Sequence, residues 1–168
     1  AWMLPVNRYS FAGGDFELGT SSDRGRGGVI WLDTTSWANG TVTVEFDVTA
    51  YTANSGFESY FQAFSASGVD GSNTVRFDVH QPQGTDVATS TTGSPTFGTI
   101  GDKHLITATG LASVSFDFAG EDYIALLFYT TGENFSVDNI TVSGIASGAE
   151  MGELMKLVVI ACDDFFEW

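Results

Sequence analysis

The chain has 168 residues, of which 43% are hydrophobic and 14% aromatic, so it can bury a domain-sized core and is not a disordered tail. Its formal charge of −15, from 21 acidic and 6 basic residues, argues against nucleic acid and anionic membranes as partners, because both need clustered Lys and Arg. One cysteine, Cys162, excludes an internal disulfide and zinc sites built from several thiolates.

Short strand-like runs follow one another up to about residue 146, separated by clusters of Gly, Ser, Asn and Asp. The run TVTVEFDVTAY at 41–51 alternates cleanly between apolar and polar residues, as a half-buried antiparallel strand does. The other runs are GDFEL, GVIWLD, SYFQAFSAS, TVRFDVHQ, HLITATG, ASVSFDFAG, DYIALLFYTT and FSVDNITVSG. About eight or nine short strands with turn residues between them predict an all-β sandwich or barrel.

Two segments depart from simple alternation. The run DYIALLFYTT at 122–131 is apolar at consecutive positions, which predicts a central strand covered on both faces. The stretch at 81–102 is long and polar, and we predict a surface loop or a weak hairpin there.

The last strand-like run, FSVDNITVSGI at 135–145, changes phase in its middle. Phe135 and Val137 share one face, whereas Ile140 and Val142 share the other, and Asp138 falls on that second, apolar side. A buried carboxylate is costly unless it is paired or binds a metal. The sequence therefore leaves two interpretations: Asp138 is a metal ligand, or it lies at a bulge and caps a turn.

The early GDFELG and the late FSVDNITVSG together resemble a secreted carbohydrate-binding-module-like family of β-jelly-rolls, over roughly residues 11 to 146. The resemblance implies an antiparallel β-sandwich of the jelly-roll type. It also implies a structural Ca²⁺ held by the early Glu and the late Asp, which are Glu17 and Asp138 here. Asp15, Asp23 and Asp33 are further candidates by proximity in the sequence.

Sites for catalysis are not recognisable. The two histidines have no metal-binding spacing, and neither a phosphate-binding loop nor a nucleophile elbow occurs. Glu121 and Asp122 are adjacent but belong to a predicted hairpin turn rather than a cleft. We therefore expect a protein that is not an enzyme.

Glycan binding is the more plausible small-ligand function. The residues that suggest it are two tryptophans around LDTTS and three polar residues expected on one face of TVRFDVHQ: Trp31, Trp37, Arg76, Asp78 and His80. The alternative is an ordinary polar sheet face and two core aromatics. Glycosylation sequons stand at Asn39, Asn134 and Asn139, a number close to chance in a chain so rich in Ser and Thr.

Residues 147–168 form an apolar C-terminal arm beyond the predicted sandwich at 1–146. Helical spacing relates six of its residues, while its β-branched LVVIA fits a strand equally well. We expect the arm to pack on its own sandwich or to hold copies of the protein together. The assembly residues would be Met151, Leu154, Met155, Val158, Val159, Cys162, Phe165, Phe166 and Trp168.

Two functions follow as expectations. The first is a structural subunit of an extracellular surface or filamentous assembly, docking on copies of itself through the arm. The second is a calcium-stabilised carbohydrate-binding module. Both imply secretion, and a chain that starts at Ala1 fits a mature protein without its signal peptide, or equally an excised fragment.

Overall fold

The computed structural model describes residues 9–12, 15–18, 26–70, 72–78, 87–144 and 158–160. Their regular structure is entirely β. The strands are β1 (Tyr9–Ala12), β2 (Asp15–Leu18), β3 (Arg26–Asp33), β4 (Gly40–Thr52), β5 (Ser59–Ser67), β6 (Thr74–Asp78), β7 (Ala88–Thr92), β8 (Thr96–Thr99), β9 (His104–Ile106), β10 (Gly110–Phe118), β11 (Tyr123–Thr130), β12 (Asn134–Ser143) and β13 (Val158–Ile160).

The strands form two antiparallel sheets and a separate ribbon. Sheet I has the order β1-β2-β12-β4-β10, and sheet II has the order β13-β3-β11-β5, with β8 and β9 both on the far side of β5. The ribbon pairs β6 with β7. The chain changes sheet between β2, β3, β4 and β5 and again between β10, β11 and β12, as in a jelly roll. The predicted antiparallel β-sandwich is confirmed.

The first core lies between the two sheets. β4 contributes alternate residues to it, and their exposed fractions of 0 to 5% explain the clean alternation of its sequence. Aromatic rings join the sheets: the Phe46 ring on sheet I lies 5.3 Å from Phe61 and 5.1 Å from Phe128 on sheet II. Offset and edge contacts of this kind stabilise a core beyond the area that they bury.

A second core covers the outer face of sheet II. It is built from Val29, Tyr60, Phe64, Phe77, Ala125, Leu127 and Tyr129. Phe77 comes from β6, so the β6–β7 ribbon forms a third layer over this face. As a result every residue of β11 from Ile124 to Thr130 is buried, and the prediction of a central strand covered on both faces is confirmed.

Within the polar stretch at 81–102, the described residues 87–102 are more structured than the predicted loop or weak hairpin. Its β7 pairs with β6, and its β8 pairs with β5 at the edge of sheet II. Phe97 on β8 stacks on Phe64, with ring centroids 5.6 Å apart. Ile100 also packs against the first core and donates its backbone N–H to the Ala63 carbonyl, so apolar contacts and strand pairing together hold a segment whose composition predicts a loop.

Two bulges interrupt the pairing of β12 with β4. β4 has one extra residue between the pairs Ser136–Ala50 and Val137–Val48, and β12 has one extra residue between the pairs Asp138–Asp47 and Thr141–Glu45. Each extra residue reverses the alternation of its strand. The second bulge is why Phe135 and Val137 before it, and Ile140 and Val142 after it, all contact the first core.

Candidate functional site

Asp138 does not point into the core, and the geometric premise of the metal interpretation is therefore wrong. Its side chain is half-buried opposite Asp47, on the face of sheet I that does not contribute to the first core. The Asp138 Oδ1 atom accepts a hydrogen bond of 2.7 Å from the backbone N–H of Asn139, which has a φ of 51°. Asn139 Nδ2 donates a hydrogen bond to Asp47 Oδ2 at 2.9 Å, so Asn139 contacts both carboxylates, one through its backbone and one through its side chain.

Glu17 and Asp138 nevertheless come from neighbouring strands. Glu17 pairs with Ser136 in the β2–β12 ladder, two residues before Asp138. Among the side chains that the structure describes, no three His, Cys, Asp or Glu residues converge as metal ligands. Ca²⁺ requires six to eight oxygen ligands, which Asp47 and Asp138 do not supply. Calcium binding at Glu17 and Asp138 stays a prediction.

The predicted glycan-binding residues are distributed over different parts of the fold. Trp31 is half-buried against the ribbon, with its ring 5.8 Å from Phe77, and it belongs to the second core. Trp37 packs at 5.8 Å on Phe118 beside the first core, with its Nε1 atom buried and without an acceptor among the described residues. Both tryptophans are therefore packing residues rather than a shared binding platform.

The polar trio of the glycan prediction lies on or just beyond the ribbon. Arg76 and Asp78 pair with Ser90 and Ala88, and they alternate along β6 with the core residues Val75 and Phe77. His80 lies outside the described residues. Arg76 and Asp78 are thus at the alternate positions of β6, next in sequence to its core residues. Their role in binding stays a prediction.

The C-terminal arm contributes an edge strand to sheet II. Val158, Val159 and Ile160 pair with Trp31, Ile30 and Val29 of β3, in antiparallel orientation. Of the two predicted conformations, helix or strand, these three residues adopt the strand. The other predicted assembly residues lie outside the described part of the chain: Met151, Leu154, Met155, Cys162, Phe165, Phe166 and Trp168.

β3 is a firmly held acceptor for this strand. All eight of its residues pair with β11 on the other side. Val29 is buried in the second core, Trp31 packs against the same cluster, and Ile30 packs against the first core. Because both faces and one edge of β3 are fixed, the backbone N–H and C=O groups of its other edge, where β13 pairs, are held in a defined position.

A polar cluster that the sequence did not reveal closes one end of the sandwich. Glu133, in the turn between β11 and β12, is only 6% exposed. Its Oε1 atom accepts hydrogen bonds from the Tyr51 hydroxyl at 2.8 Å and from the Asn54 backbone N–H at 3.4 Å. Burial, followed by the hydrogen bond and charge of Glu133, raises the pKa of Tyr51 to about 12. In the sequence, Glu133 stands in the turn-like TTGEN, which predicts a solvated side chain.

The adjacent carboxylates Glu121 and Asp122 were considered as a catalytic pair in the sequence. In the structure both accept hydrogen bonds from backbone N–H groups. Glu121 Oε2 accepts a hydrogen bond of 3.0 Å from the Ala119 N–H, and Asp122 Oδ2 accepts one of 2.9 Å from the Gly68 N–H. The hydroxyl of Thr34 donates to the backbone carbonyl of Glu121 at 2.6 Å. These contacts are typical of loop closure.

No long apolar helix suited to crossing a membrane occurs among the described residues. Comparison of the chain with protein-family models, with curated proteins and with solved structures found no match to any of them.

Proposed function

We propose that the protein is a non-catalytic structural subunit of an extracellular assembly, and that copies are joined when the C-terminal strand of one copy pairs with β3 of the next. The observation that carries this proposal is that Val158–Ile160 pair with β3 at the edge of sheet II, here within one chain. An edge strand is a template for another strand, and the addition of a strand supplies affinity through main-chain hydrogen bonds.

The length of the connection allows this pairing within one chain or between two. Residues 144 to 157 separate the end of β12 from the start of β13. Fourteen residues reach about 45 Å when extended, whereas packed sheets lie about 10 Å apart. Exchange of an identical element between copies has a low energetic cost, and an exchange that does not close into a ring makes a filament.

Composition supports a role in assembly over a role as a free monomer. The arm carries nine apolar residues predicted to mediate association, and an exposed patch of that size would promote aggregation. The carbohydrate-binding alternative has less support, because its two tryptophans are engaged in packing. It rests on Arg76, Asp78 and His80 alone, and a glycan array with the full-length protein tests it directly.

Cross-linking tests the exchange. Val159 and Ile30 are directly opposite, so we substitute each by Cys in a Cys162→Ala background and mix the two single variants. Exchange predicts a disulfide-linked dimer between a Val159→Cys chain and an Ile30→Cys chain. The Val159→Cys, Ile30→Cys double variant in one chain is the control for pairing within a chain.

Sedimentation of the full chain and of a chain truncated after Ala146 completes the test. We expect the full chain to associate with rising concentration and the truncated chain to stay a folded monomer. Full-length protein that sediments as a monomer at every concentration, with a disulfide only in the double variant, would show that the arm covers its own β3 and would contradict the proposal.

A further inference from the structure

Asn39 and Gly40 form the only Asn-Gly dipeptide of the sequence, and they lie where the loop after β3 enters β4. Asn39 is exposed and stands in a bend just before that strand. Its Oδ1 atom lies beside Gly120, in the turn between β10 and β11, where a Cβ atom on Gly120 would be 3.2 Å from it. The side-chain amide of Asn39 is therefore accessible to water and lies next to a residue that has no side chain.

The fold itself does not require glycine at position 40. A Cβ atom built on Gly40 meets no atom within 4 Å, and Gly40 is not among the described residues with a positive φ. Replacement by alanine is therefore compatible with the backbone conformation and with the packing. What glycine changes at this position is access to its own backbone nitrogen, because no Cβ atom shields it.

The other described asparagines are less suited to a reaction with the following peptide nitrogen. Asn134 and Asn139 lie within β12 and precede Phe and Ile. Asn54 donates a side-chain hydrogen bond of 3.1 Å to a backbone carbonyl, and Asn73 accepts one of 2.9 Å from a backbone N–H. Ser and Thr follow these two. Exposure, a bend and a following glycine thus combine at Asn39.

We propose that Asn39 is a site of spontaneous deamidation, with water as the co-reactant. The backbone nitrogen of Gly40 attacks Cγ of Asn39, the Cγ–Nδ2 bond breaks, ammonia leaves and a five-membered succinimide forms. Water then adds to one of the two ring carbonyls and opens the ring, which gives aspartate or isoaspartate. Asparagine is one of the thermolabile residues, and glycine offers the least steric hindrance to the attack.

The reaction would change both the charge and the backbone at the start of β4. Either product adds a carboxylate to a chain of net charge −15, and isoaspartate also adds a methylene group to the main chain. The pairs Gly40–Phe118 and Thr41–Asp117 follow directly. Gly144, the last described residue before the arm, packs so closely that a Cβ atom on it would overlap the Thr41 carbonyl oxygen. The modification would therefore occur close to the point at which the arm leaves the sandwich.

The experiment incubates the folded full-length protein in mildly alkaline buffer made with water that contains heavy oxygen, and then maps the peptides by mass spectrometry. We expect the amide of residue 39 to be replaced by a carboxylate that carries the heavy oxygen, whereas Asn54, Asn73, Asn134 and Asn139 stay amides. Label from the incubation distinguishes this reaction from deamidation during digestion in ordinary water. Methylation by an isoaspartyl methyltransferase identifies the isoaspartate product.

Two variants are matched controls. Gly40→Ala should lower the rate of labelling at Asn39 about tenfold or more, because its Cβ atom hinders the attack. Asn39→Gln should show no label at this position on the same time scale, because a longer side chain closes its ring far more slowly. Near-ultraviolet circular dichroism confirms that both variants are folded.

A sample of the wild type unfolded in urea gives the reference rate for a chain without structure. We expect the rate at Asn39 in the folded protein to lie within about tenfold of that rate, because the residue is exposed in a loop. The proposal is wrong if Asn39 keeps its amide in the folded chain, if Gly40→Ala reacts as fast as the wild type, or if another described asparagine is labelled first.

Discussion

β11 and β12 follow each other in the chain, and they differ in the regularity of their pairing and in how many of their faces are buried. β11 pairs without interruption with β3 and with β5, and the residues from 124 to 130 are buried. β12 pairs with β4 through two bulges, meets β2 over only three residue pairs, and has one face with polar residues. The turn at 131–133 that joins them contains the buried Glu133.

The difference shows that the number of buried faces of a strand determines which of its structural features can be predicted from its sequence. A strand with one open face has a polar and an apolar set of residues, so an extra residue appears in the sequence as a change of phase. That is the case at Asp138 and Asn139. A strand with two covered faces is apolar throughout, and its pattern predicts burial but not which residue faces which core.

The largest expected loss of stability comes from truncating buried residues of β11, and it tests whether the two faces of this strand are equally buried. Leu126 belongs to the first core and Leu127 to the second, and both are 0% exposed. Leu126→Ala and Leu127→Ala should each lower the free energy of unfolding by about 2 to 5 kcal/mol, measured by urea denaturation. Leu111→Ala, at a residue that is 69% exposed, is the matched control and should change it by less than about 0.5 kcal/mol. A neutral Leu127→Ala would mean that the ribbon does not cover sheet II in solution.

The next effect concerns the turn between the two strands. Tyr51→Phe removes a hydroxyl that donates to a buried carboxylate and should lower the free energy of unfolding by about 2 kcal/mol at pH 7. The folded state raises the pKa of Tyr51 from its ordinary value of 10.0 to about 12, so the unfolded chain ionises first as pH rises. The wild type should therefore lose, between pH 10 and 12, a stability contribution that Tyr51→Phe lacks. Parallel pH profiles for the two proteins would contradict this role of Tyr51.

A smaller change in the free energy of unfolding distinguishes the bulge in β12 from the regular strand β11, when Ala and Gly are compared at one position in each. Asn139 has a φ of 51°, a conformation that is easy for Gly and strained for Ala. Asn139→Ala should be about 1 kcal/mol less stable than Asn139→Gly, since both lose the hydrogen bond to Asp47. In β11 the order should reverse, because Ala125→Gly weakens a strand interior. Urea denaturation of the three variants measures both differences, and an Asn139→Ala that is as stable as Asn139→Gly would place the bulge elsewhere.

The smallest expected effect is on the open face of β12. Thr141 is exposed and stands opposite Glu45 after the second bulge. Thr141→Val keeps the β-branched shape and should change the free energy of unfolding by less than about 0.5 kcal/mol. A loss above 1 kcal/mol, measured in the same way, would indicate that another part of the molecule covers this face.

The sequence by itself determined the β class and most strands, because alternation in β4 and continuous apolarity in β11 follow directly from coverage on one face or two. It also located the disturbance at Asp138 and Asn139, although not its cause. The resemblance predicted Glu17 and Asp138 as calcium ligands, which stays a prediction; the structure shows only that they lie on the paired strands β2 and β12.

Only the tertiary structure decided the remaining features, because they depend on partners that are distant in the chain. Val158–Ile160 are a strand because β3 offers a free edge about 130 residues earlier, and propensity alone had left a helix equally open. Trp31 and Trp37 are packing residues because the ribbon and Phe118 lie against them. Glu133 sits in a turn whose composition predicts solvation, and it is buried because Tyr51 and Asn54, about 80 residues away in the sequence, close over it.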